Sequence, residues 1–334
     1  MVGMVLTGCG AKEETKTEEQ NTSTAQDTPE KKSEALKVSL VVAGGLGDRS
    51  FYDSSNEGLE MIKKDFGVDG KVLECKNDAT LFTDQLVQAS NISEVVVVVG
   101  FEFYDVIQEV AKEFPAVKYI YIDNVIEGVE NITSIDYKEN EGAFLAGALA
   151  AMTSKTGKIG MVGGMDIPVI RNFQVGYEAG AKEVNKDIIV ETIYAGDFED
   201  PAKGKESALA LYGKDVDIIF QVAGKTGEGV FEAAKDQGKM AIGVDSDQRY
   251  INPEVIVASM IKGVNLSIYE SVQKINDGTF ESGKTYEYGA KENGVKMAYG
   301  TEDMIQIVTD ETKAKIEALN QKIISGEIKV PEVK

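Results

Sequence analysis

The chain has 334 residues, and its 35 basic and 56 acidic side chains give a formal net charge of −21 at pH 7. This acidic balance argues against a nucleic-acid partner, because binding to a phosphate backbone draws on clustered Lys and Arg. The sequence has no histidine and two cysteines, which excludes His-based catalytic triads, His-ligated or thiolate metal sites and a disulfide framework.

The N-terminal run Val5–Gly10 contains a Leu-x-Gly-Cys pattern behind an apolar leader. This pattern resembles the lipobox of bacterial lipoproteins, in which the cysteine becomes the lipidated N-terminus. We therefore predict that residues 1–8 are a leader, that Cys9 carries the lipid and that the protein is held on the extracytoplasmic face of the cell membrane. Only eight residues, none of them Lys or Arg, precede Cys9, so the alternatives are a truncated leader and an apolar N-terminus with an incidental cysteine.

The stretch that follows the cysteine is polar. Residues 10–36 contain no aromatic residue, no Ile and no Val, and Leu36 is their only large aliphatic residue. Such a segment buries too little apolar surface to offset the entropy lost on ordering. We predict that residues 9–36 form a disordered linker between the lipid anchor and a folded body.

From residue 37 onward, short apolar runs alternate with amphipathic stretches, beginning with Val38–Ala43 and the helical pattern Phe51–Phe66. Continuous apolar runs such as Val95–Val99 are typical of strands covered on both faces, which indicates parallel sheets flanked by helices. About 300 residues are too many for one ordinary core, so two sheets in two lobes are favoured over one large sheet. The further predicted strands are Lys71–Cys75, Lys118–Ile122, Lys158–Val162, Ile188–Tyr194, Asp217–Val222, Met240–Val244 and Val255–Met260. Cys75 ends a strand-like run and is predicted to be a buried, inert thiol.

Two helical segments stand out later in the chain. Glu141–Ser154 is the most apolar of them, but it is too short for a membrane span, which needs about 18 apolar residues. Its small residues predict a helix packed tightly against a sheet near the crossover between the lobes. Asp310–Ile324 opens with Asp and is followed by Gly326, which fits the preferences of helix N-caps and C-caps.

Two glycine-rich motifs suggest nucleotide chemistry but lie in the wrong context. Gly278–Thr285 matches the phosphate-loop pattern, yet a phosphate loop must leave a strand and open a helix. Here the helical run Leu266–Asn276 precedes the motif and the strand-like run Tyr286–Tyr288 follows it, so Gly278 is better interpreted as a helix C-cap. The loop Gly44–Ser50 follows a strand but has Ser50 where a dinucleotide fingerprint needs Gly or Ala. No cofactor is expected.

Aromatic residues and carboxylates recur directly after the predicted strands, at the edge where doubly wound sheets bind ligands. Phenylalanine offers a flat apolar face on which a planar ring stacks, and carboxylates accept hydrogen bonds from N–H and O–H donors. A neutral ligand with a flat ring and a vicinal diol would suit this edge. The residues concerned are Asp48, Ser50, Phe51, Phe101, Phe103, Asp123, Phe198, Gly224, Asp245, Asp247 and Lys262. Phe101 and Phe103 are equally compatible with a pocket wall and with core packing.

Several of these segments, taken in order, resemble the basic-membrane-protein family of ABC-transporter substrate-binding lipoproteins, and the resemblance covers nearly all of residues 37–334. The segments are Gly44–Phe51, Glu139–Gly147, Gly163–Met165, Gly176–Gly180 and Val244–Asp247. The family is similar to purine-nucleoside receptors and, more distantly, to ribose-binding type I periplasmic proteins. The resemblance implies an α/β fold of the type I periplasmic-binding-protein class, with two Rossmann-like lobes of parallel sheets joined by hinge crossovers. The lobes are expected at 37–138 with about 262–290, and at 139–261 with about 291–334.

The resemblance also implies a role for each site residue. Phe51 and Phe198 would sandwich the ligand, and Asp123 would hold the edge of the base. Asp245 and Lys262 would hold the ribose hydroxyls, and Gly224 would let backbone approach the sugar. Asp48 and Ser50 lie in the same loop as Phe51, where Asp48 would contact the ligand or fix the loop. Many family members have Asn directly after the phenylalanine, whereas this chain has Tyr52, so a contact to the base edge is expected to differ.

The predicted function is capture of a purine nucleoside by closure of the lobes and delivery to an ABC permease, without an enzymatic reaction. The lack of a basic cluster favours nucleosides over nucleotides. Three alternatives remain open: a binding protein for another planar ligand such as a flavin, a ligand sensor that signals to a partner, and a nucleoside hydrolase. The hydrolase would need a metal or an activated water, and Asp245 and Asp247 alone are a thin ligand set for a metal.

Overall fold

A computed structural model describes residues 35–333 of the chain, and this part contains two six-stranded sheets. The first sheet has the strand order β11-β5-β4-β3-β1-β2 and is entirely parallel. Its strands are β1 (Lys37–Val42), β2 (Asp69–Glu74), β3 (Val95–Val99), β4 (Lys118–Ile122), β5 (Ile132–Tyr137) and β11 (Thr285–Tyr288). The helices of this first lobe are α1 (Phe51–Phe66), α2 (Phe82–Ile92), α3 (Tyr104–Glu113) and α8 (Val264–Asn276), the last of which packs on α1.

The second sheet has the order β12-β10-β9-β8-β6-β7, with only the β10–β12 pair antiparallel. Its strands are β6 (Lys158–Gly163), β7 (Ile189–Tyr194), β8 (Ile218–Val222), β9 (Met240–Asp245), β10 (Ile256–Lys262) and β12 (Val295–Ala298). The helices of this second lobe are α4 (Glu139–Thr153), α5 (Pro168–Val184), α6 (Pro201–Tyr212), α7 (Gly227–Gln237) and α9 (Asp310–Ile324). Two parallel-dominated sheets covered by helices confirm the fold class that the sequence indicates.

Hydrophobic burial explains the strand positions. All five valines of β3 are buried, because β3 lies between β1 and β4 and contributes side chains to core clusters on both faces of the sheet. A strand in that position cannot alternate polar and apolar residues. The apolar run is therefore a consequence of its central place in the sheet.

The chain passes between the lobes three times, and the passages are hydrogen-bonded to one another. They lie at Lys138, at Gly263 and at residues 289–294. The N–H of Lys138 donates to the carbonyl of Tyr288 at 3.2 Å, and the N–H of Gly263 donates to the carbonyl of Gly294 at 2.7 Å. Both lobes therefore contain segments that are distant in sequence.

Helix α4 begins directly after the first passage and packs closely on α5, in agreement with its small-residue composition. A Cβ on Gly180 would lie 1.8 Å from the carbonyl oxygen of Phe144, and a Cβ on Gly147 would lie 2.0 Å from that of Tyr177. On its other side, α4 meets the second sheet, where Gly142 faces Met260 of β10. Glycine at these positions lets the backbones of the two helices approach.

Several observed elements begin or end one or two residues from their predicted bounds, and three further differences are larger or concern a cap. The strands β5 and β12 have no counterpart among the predicted runs, and the N-cap of α9 is Thr309, whose side chain accepts from the N–H of Thr312, rather than Asp310. The prediction that Gly278 follows a helix is confirmed, because it has φ +70° just past α8 and the phosphate-loop pattern leads into β11. Cys75 is fully buried and unpaired, and burial raises the pKa of its thiol to about 11, as expected for an inert cysteine.

Within residues 35–333, no helix combines the length and the apolar character needed to cross a membrane. The predicted leader and Cys9, and all but the last two residues of the predicted linker, lie outside the described residues.

Candidate ligand-binding cleft

A cavity lies between the carboxyl ends of the two sheets, where the chemistry of doubly wound folds is usually found. The cavity is lined by residues of both lobes. Eight of the nine residues that the sequence indicates for the ligand line this one cavity: Asp48, Phe51, Tyr52, Asp123, Phe198, Gly224, Asp245 and Lys262. The ninth, Ser50, is buried beside it and donates its hydroxyl hydrogen to Oδ2 of Asp245.

Phe51 and Phe198 reach the cavity from opposite lobes. Phe51 is the first residue of α1, and Phe198 lies in the loop that follows β7. The ring of Phe198 covers Gly164, where a Cβ would lie 2.2 Å from the Cε1 atom of that ring. The carbonyl of Phe198 accepts from the N–H of Thr226 at 3.0 Å. Gly224, beside it, has φ +54°, a backbone conformation that side chains with a Cβ rarely adopt.

Asp48 organises the loop before α1. Its Oδ1 accepts from the N–H groups of Ser50 and Asp53, both at 3.0 Å, and its Oδ2 accepts from that of Tyr52 at 2.9 Å. Burial outweighs these hydrogen bonds and raises the pKa of the Asp48 carboxyl to about 7. The carboxyl thus holds the first turn of α1, and with it Phe51 and Tyr52, in a fixed position.

Lys262 is the buried cation of the cleft. Its side chain is 3% exposed, and its Nζ lies 2.6 Å from Oδ2 of Asp123 in the other lobe. The ammonium also lies 5.0 Å from the ring centroid of Phe51 and 5.6 Å from that of Phe173, within the range of cation–π attraction. Burial alone would lower the pKa of Lys262, but the carboxylates of Asp123, Glu139 and Asp245 together raise it.

Around Lys262, the buried carboxyl groups outnumber the one buried ammonium group. Asp245 is buried, and burial raises the pKa of its carboxyl. Glu139, the first residue of α4, is 3% exposed, and burial also raises its pKa. Asp123 and Asp245 both have positive φ, at 69° and 64°, a conformation that non-glycine residues adopt mainly where the surrounding structure requires it. These residues lie at the ends of β4 and β9, where the chain must turn.

Direct hydrogen bonds connect the lobes at the mouth of the cleft. The carbonyl of Arg49 accepts from Oγ of Ser246 at 2.9 Å and from Nε2 of Gln248 at 3.0 Å. Oε1 of Gln248 accepts from Nε2 of Gln221 and from the N–H of Val244. These two bonds orient the amide so that Nε2 of Gln248 points toward Arg49. The loop before α1 is therefore bound to the loop after β9.

The cavity also includes residues that the sequence interpretation missed or left undecided. Phe101 lines the cavity and is 37% exposed, whereas Phe103 is fully buried in the hydrophobic core of the first lobe. Glu102, between them, also lines the cavity, as do Glu199 and Lys225 of the second lobe. Glu199 directly follows Phe198, which the sequence indicates for the ligand, so its position offers a signal. Phe173, Val169 and Ile170 come from the first turns of α5, and Ile167 is its N-cap; none of them directly follows a strand, so the strand-end rule does not indicate them.

Comparisons with known sequences agree with the resemblance noted above. A family model described as "ABC transporter substrate-binding protein PnrA-like" matches residues 35–334. The "ABC transporter nucleoside-binding protein BmpA" of Lactococcus lactis is 34% identical over 318 residues, 89% of each chain. "Basic membrane protein A" of Borreliella burgdorferi is 36% identical over 316 residues, 90% of this chain and 89% of that protein. The "CD4+ T-cell-stimulating antigen" of Listeria innocua is 32% identical over 350 residues, 99% of this chain and 95% of that protein.

Solved structures show the same architecture. A solute-binding protein of an ABC transporter system from Aeropyrum pernix matches with a TM-score of 0.79 and 28% identity, covering 89% of this chain and 94% of that one. A solute-binding protein from Conexibacter woesei matches with a TM-score of 0.73 over 89% of this chain and 99% of that one, and at 24% identity this match shows the fold alone.

Proposed function

The chain belongs to the family of PnrA-like ABC transporter substrate-binding proteins, and we propose on that basis that it captures a purine nucleoside in the cleft and delivers it to a membrane permease. The family is one of solute-binding proteins rather than enzymes, so the hydrolase alternative falls away. The observation that carries the nucleoside proposal is that Phe51 and Phe198, from opposite lobes, line one cavity together with buried carboxyl groups and a single buried lysine.

The chemistry of the lining suits an uncharged ligand with a flat ring and hydroxyl groups. A ring stacked on a phenylalanine gains about 1–3 kcal/mol. The carboxyl of Asp245 accepts from ribose hydroxyls and the ammonium of Lys262 donates to them, while Asp123 holds the lysine in place. A phosphate would meet the carboxyls of Asp123, Asp245 and Glu139 with one buried cation to offset them, which disfavours nucleotides.

Capture proceeds by closure of the two lobes, in the manner of other hinged binding proteins. The moving units are the predicted lobes, 37–138 with about 262–290, and 139–261 with about 291–334, and the hinge consists of the three bonded passages between them. The closed form is the one that docks on the permease. A lipid on Cys9, outside the described residues, would hold the protein at the extracytoplasmic face of the membrane.

Calorimetry on the ligand-stripped protein tests the proposal. We expect inosine, guanosine or adenosine to bind more tightly than hypoxanthine and AMP, because hypoxanthine leaves Asp245 and Lys262 without hydroxyl partners. Phe198→Ala should weaken nucleoside binding by about 10-fold or more, whereas Phe280→Ala, in the core cluster on one face of the first sheet, serves as the matched control. Tighter binding of AMP than adenosine, or of riboflavin than every nucleoside, would overturn the proposal. Mass spectrometry of the ligand released from freshly purified protein gives an independent identification.

A further inference from the structure

The cavity has two polar ends, and they differ in chemistry. At one end, Lys262 is paired with Asp123 and lies near Asp245. At the other end, the ring of Tyr52 covers Gly44 next to the carboxyl of Glu199, where a Cβ on Gly44 would lie 2.4 Å from Cε2 of Tyr52 and 3.1 Å from Oε1 of Glu199. Burial raises the pKa of the Tyr52 hydroxyl, and the nearby charges of Glu102 and Glu199 raise it further.

Phe51 lies between these ends. Its ring centroid is 5.0 Å from the ammonium of Lys262 and 5.6 Å from the ring centroid of Tyr52. The strand order agrees, because β4 and β10 supply Asp123 and Lys262, whereas β3, β1 and β7 precede Glu102, Tyr52 and Glu199. A nucleoside stacked on Phe51 with its sugar at Lys262 therefore has the edge of its base at the Tyr52 end. Asp123, which the resemblance assigns to the edge of the base, pairs with the lysine and in this arrangement lies at the sugar end instead.

Among the residues at the Tyr52 end, Glu102 is the one with free hydrogen-bonding capacity. Its Oε2 is buried and has no hydrogen-bond partner in residues 35–333, and burial raises the pKa of its carboxyl. Glu199, by contrast, has Nζ of Lys225 at 3.9 Å from its Oε2 and a side-chain hydrogen bond with Asn77. A buried acceptor without a partner is costly, so such groups usually serve a ligand or a water.

We propose that Glu102 reads the edge of the base and selects 6-oxopurine nucleosides, guanosine above inosine and both above adenosine. This inference rests on the proposed nucleoside function. A carboxylate presents two acceptor oxygens that match two parallel N–H donors. Guanine offers two such donors, N1–H and the exocyclic amino group on C2, and hypoxanthine offers N1–H alone. Adenine has an acceptor at N1, which faces the carboxylate with like polarity and leaves it unpaired.

Calorimetric titration of the whole protein with guanosine, inosine and adenosine tests the assignment. In the wild type, we expect guanosine to bind about 10- to 100-fold more tightly than adenosine, with inosine between them. Glu102→Gln replaces one acceptor by a donor and should remove most of this preference while adenosine still binds. Glu109→Gln, on the exposed carboxyl of α3 that pairs with Lys112, is the matched control and should keep the order.

A second measurement does not depend on how the variant folds. On the wild-type protein, 1-methylguanosine lacks the N1 donor and should bind at least about 10-fold more weakly than guanosine. A preference for adenosine, equal binding of guanosine and 1-methylguanosine, or an unchanged order in Glu102→Gln would each overturn the role of Glu102 and leave the nucleoside proposal standing. Failure of the wild type to bind any nucleoside would instead refute the proposed function.

Discussion

At the scale of single residues, Lys262 decides the charge of the cleft. Asp123, Asp245 and Glu139 all act on this one ammonium, with Asp123 following β4 of the first sheet and Asp245 ending β9 of the second. A buried charge that loses its partner is strongly destabilising. The lysine is therefore expected to stabilise the empty cleft and, under the proposed function, to contribute to ligand binding.

Replacing Lys262 by Met should cost about 3–5 kcal/mol of unfolding free energy, because the carboxylate of Asp123 is left without its cation. Nucleoside binding should fall with it. Urea denaturation and calorimetry measure the two effects. Lys235→Met, at an exposed position on α7, is the control. Full stability in Lys262→Met would show that the Asp123 pair contributes nothing.

The raised pKa of Asp48 predicts a specific dependence of stability on pH. Its carboxyl has a pKa of about 7 in the folded chain against 3.8 in the unfolded chain, so between these values the folded state binds more protons. The contribution to stability is therefore fully present below about pH 4 and is lost as the pH rises toward 7, by at most about 1.4 kcal/mol per pH unit.

Asp48→Asn should flatten the decline in unfolding free energy between pH 4.5 and 7 by up to that amount, as measured by urea denaturation at a series of pH values. Asp197→Asn is the control, because the hydrogen bond with Lys203 lowers the pKa of Asp197 and places its titration below this range. A slope in Asp48→Asn equal to that of the wild type would contradict the assignment.

Some residues of the site can be predicted from the sequence, whereas others are identified only by the structure. Asp123 and Asp245 follow apolar runs directly, and Asp48 lies in the glycine loop after the first run, so the rule that ligands bind at strand ends is enough to indicate them. Glu102 follows a strand as well, but it lies between two phenylalanines, and only the structure shows that one faces the cavity and the other the core. Phe173 lies on a helix whose apolar positions look alike in the sequence, and tertiary packing alone brings it to Lys262.

At the scale of elements, the contact between α4 and α5 depends on glycine. In an ordinary helix interior, replacing Gly by Ala is favourable by up to about 1 kcal/mol. At Gly180, a methyl group would lie 1.8 Å from the carbonyl oxygen of Phe144, and the opposite result is expected. Gly180→Ala should therefore lower the unfolding free energy by about 3 kcal/mol.

Urea denaturation of Gly180→Ala beside Gly213→Ala tests this packing. Gly213 follows α6 with φ −65°, and a methyl group there would meet nothing closer than 3.3 Å. It should change stability by less than about 1 kcal/mol. Equal effects of the two substitutions would mean that the helices can move apart without cost.

The predicted elements are most accurate where burial is complete. β3 and β4 have the predicted bounds, and α1 does as well. β5 was missed because it combines Ile132 and Ile135 with Thr133 and Ser134, which are buried and polar. β12 has four residues at the edge of its sheet, one of them Lys296, and such a run has no distinct pattern. Both strands exist because a neighbouring strand supplies their hydrogen bonds.

At the scale of the whole molecule, hydrogen bonds between the loop before α1 and the loop after β9 hold the two lobes together; under the proposed function, they favour the closed arrangement. The carbonyl of Arg49 in the first lobe accepts from Ser246 and Gln248 in the second. These contacts involve the protein alone, so they stabilise closure in addition to any ligand. A neutral hydrogen bond contributes about 0.5–1.5 kcal/mol.

Ser246→Ala should therefore speed dissociation of a bound nucleoside by about 2- to 10-fold and leave association nearly unchanged. Stopped-flow fluorescence with a labelled or fluorescent nucleoside measures both rates. Ser325→Ala is the matched control, because the hydroxyl of Ser325 bonds only to the carbonyl of Lys322 in the same lobe. Slower association with unchanged dissociation would place the effect before closure instead.

The repeated passage of the backbone between the lobes has a consequence for biosynthesis. β11 and β12 complete the two sheets, and both lie from Thr285 onward in the chain. A nascent polypeptide that stops before this point exposes the edge of β5 in one sheet and of β10 in the other, and such unpaired edges invite aggregation. Both sheets therefore gain their last strands within a few residues of each other, only after the ribosome has passed Ala298.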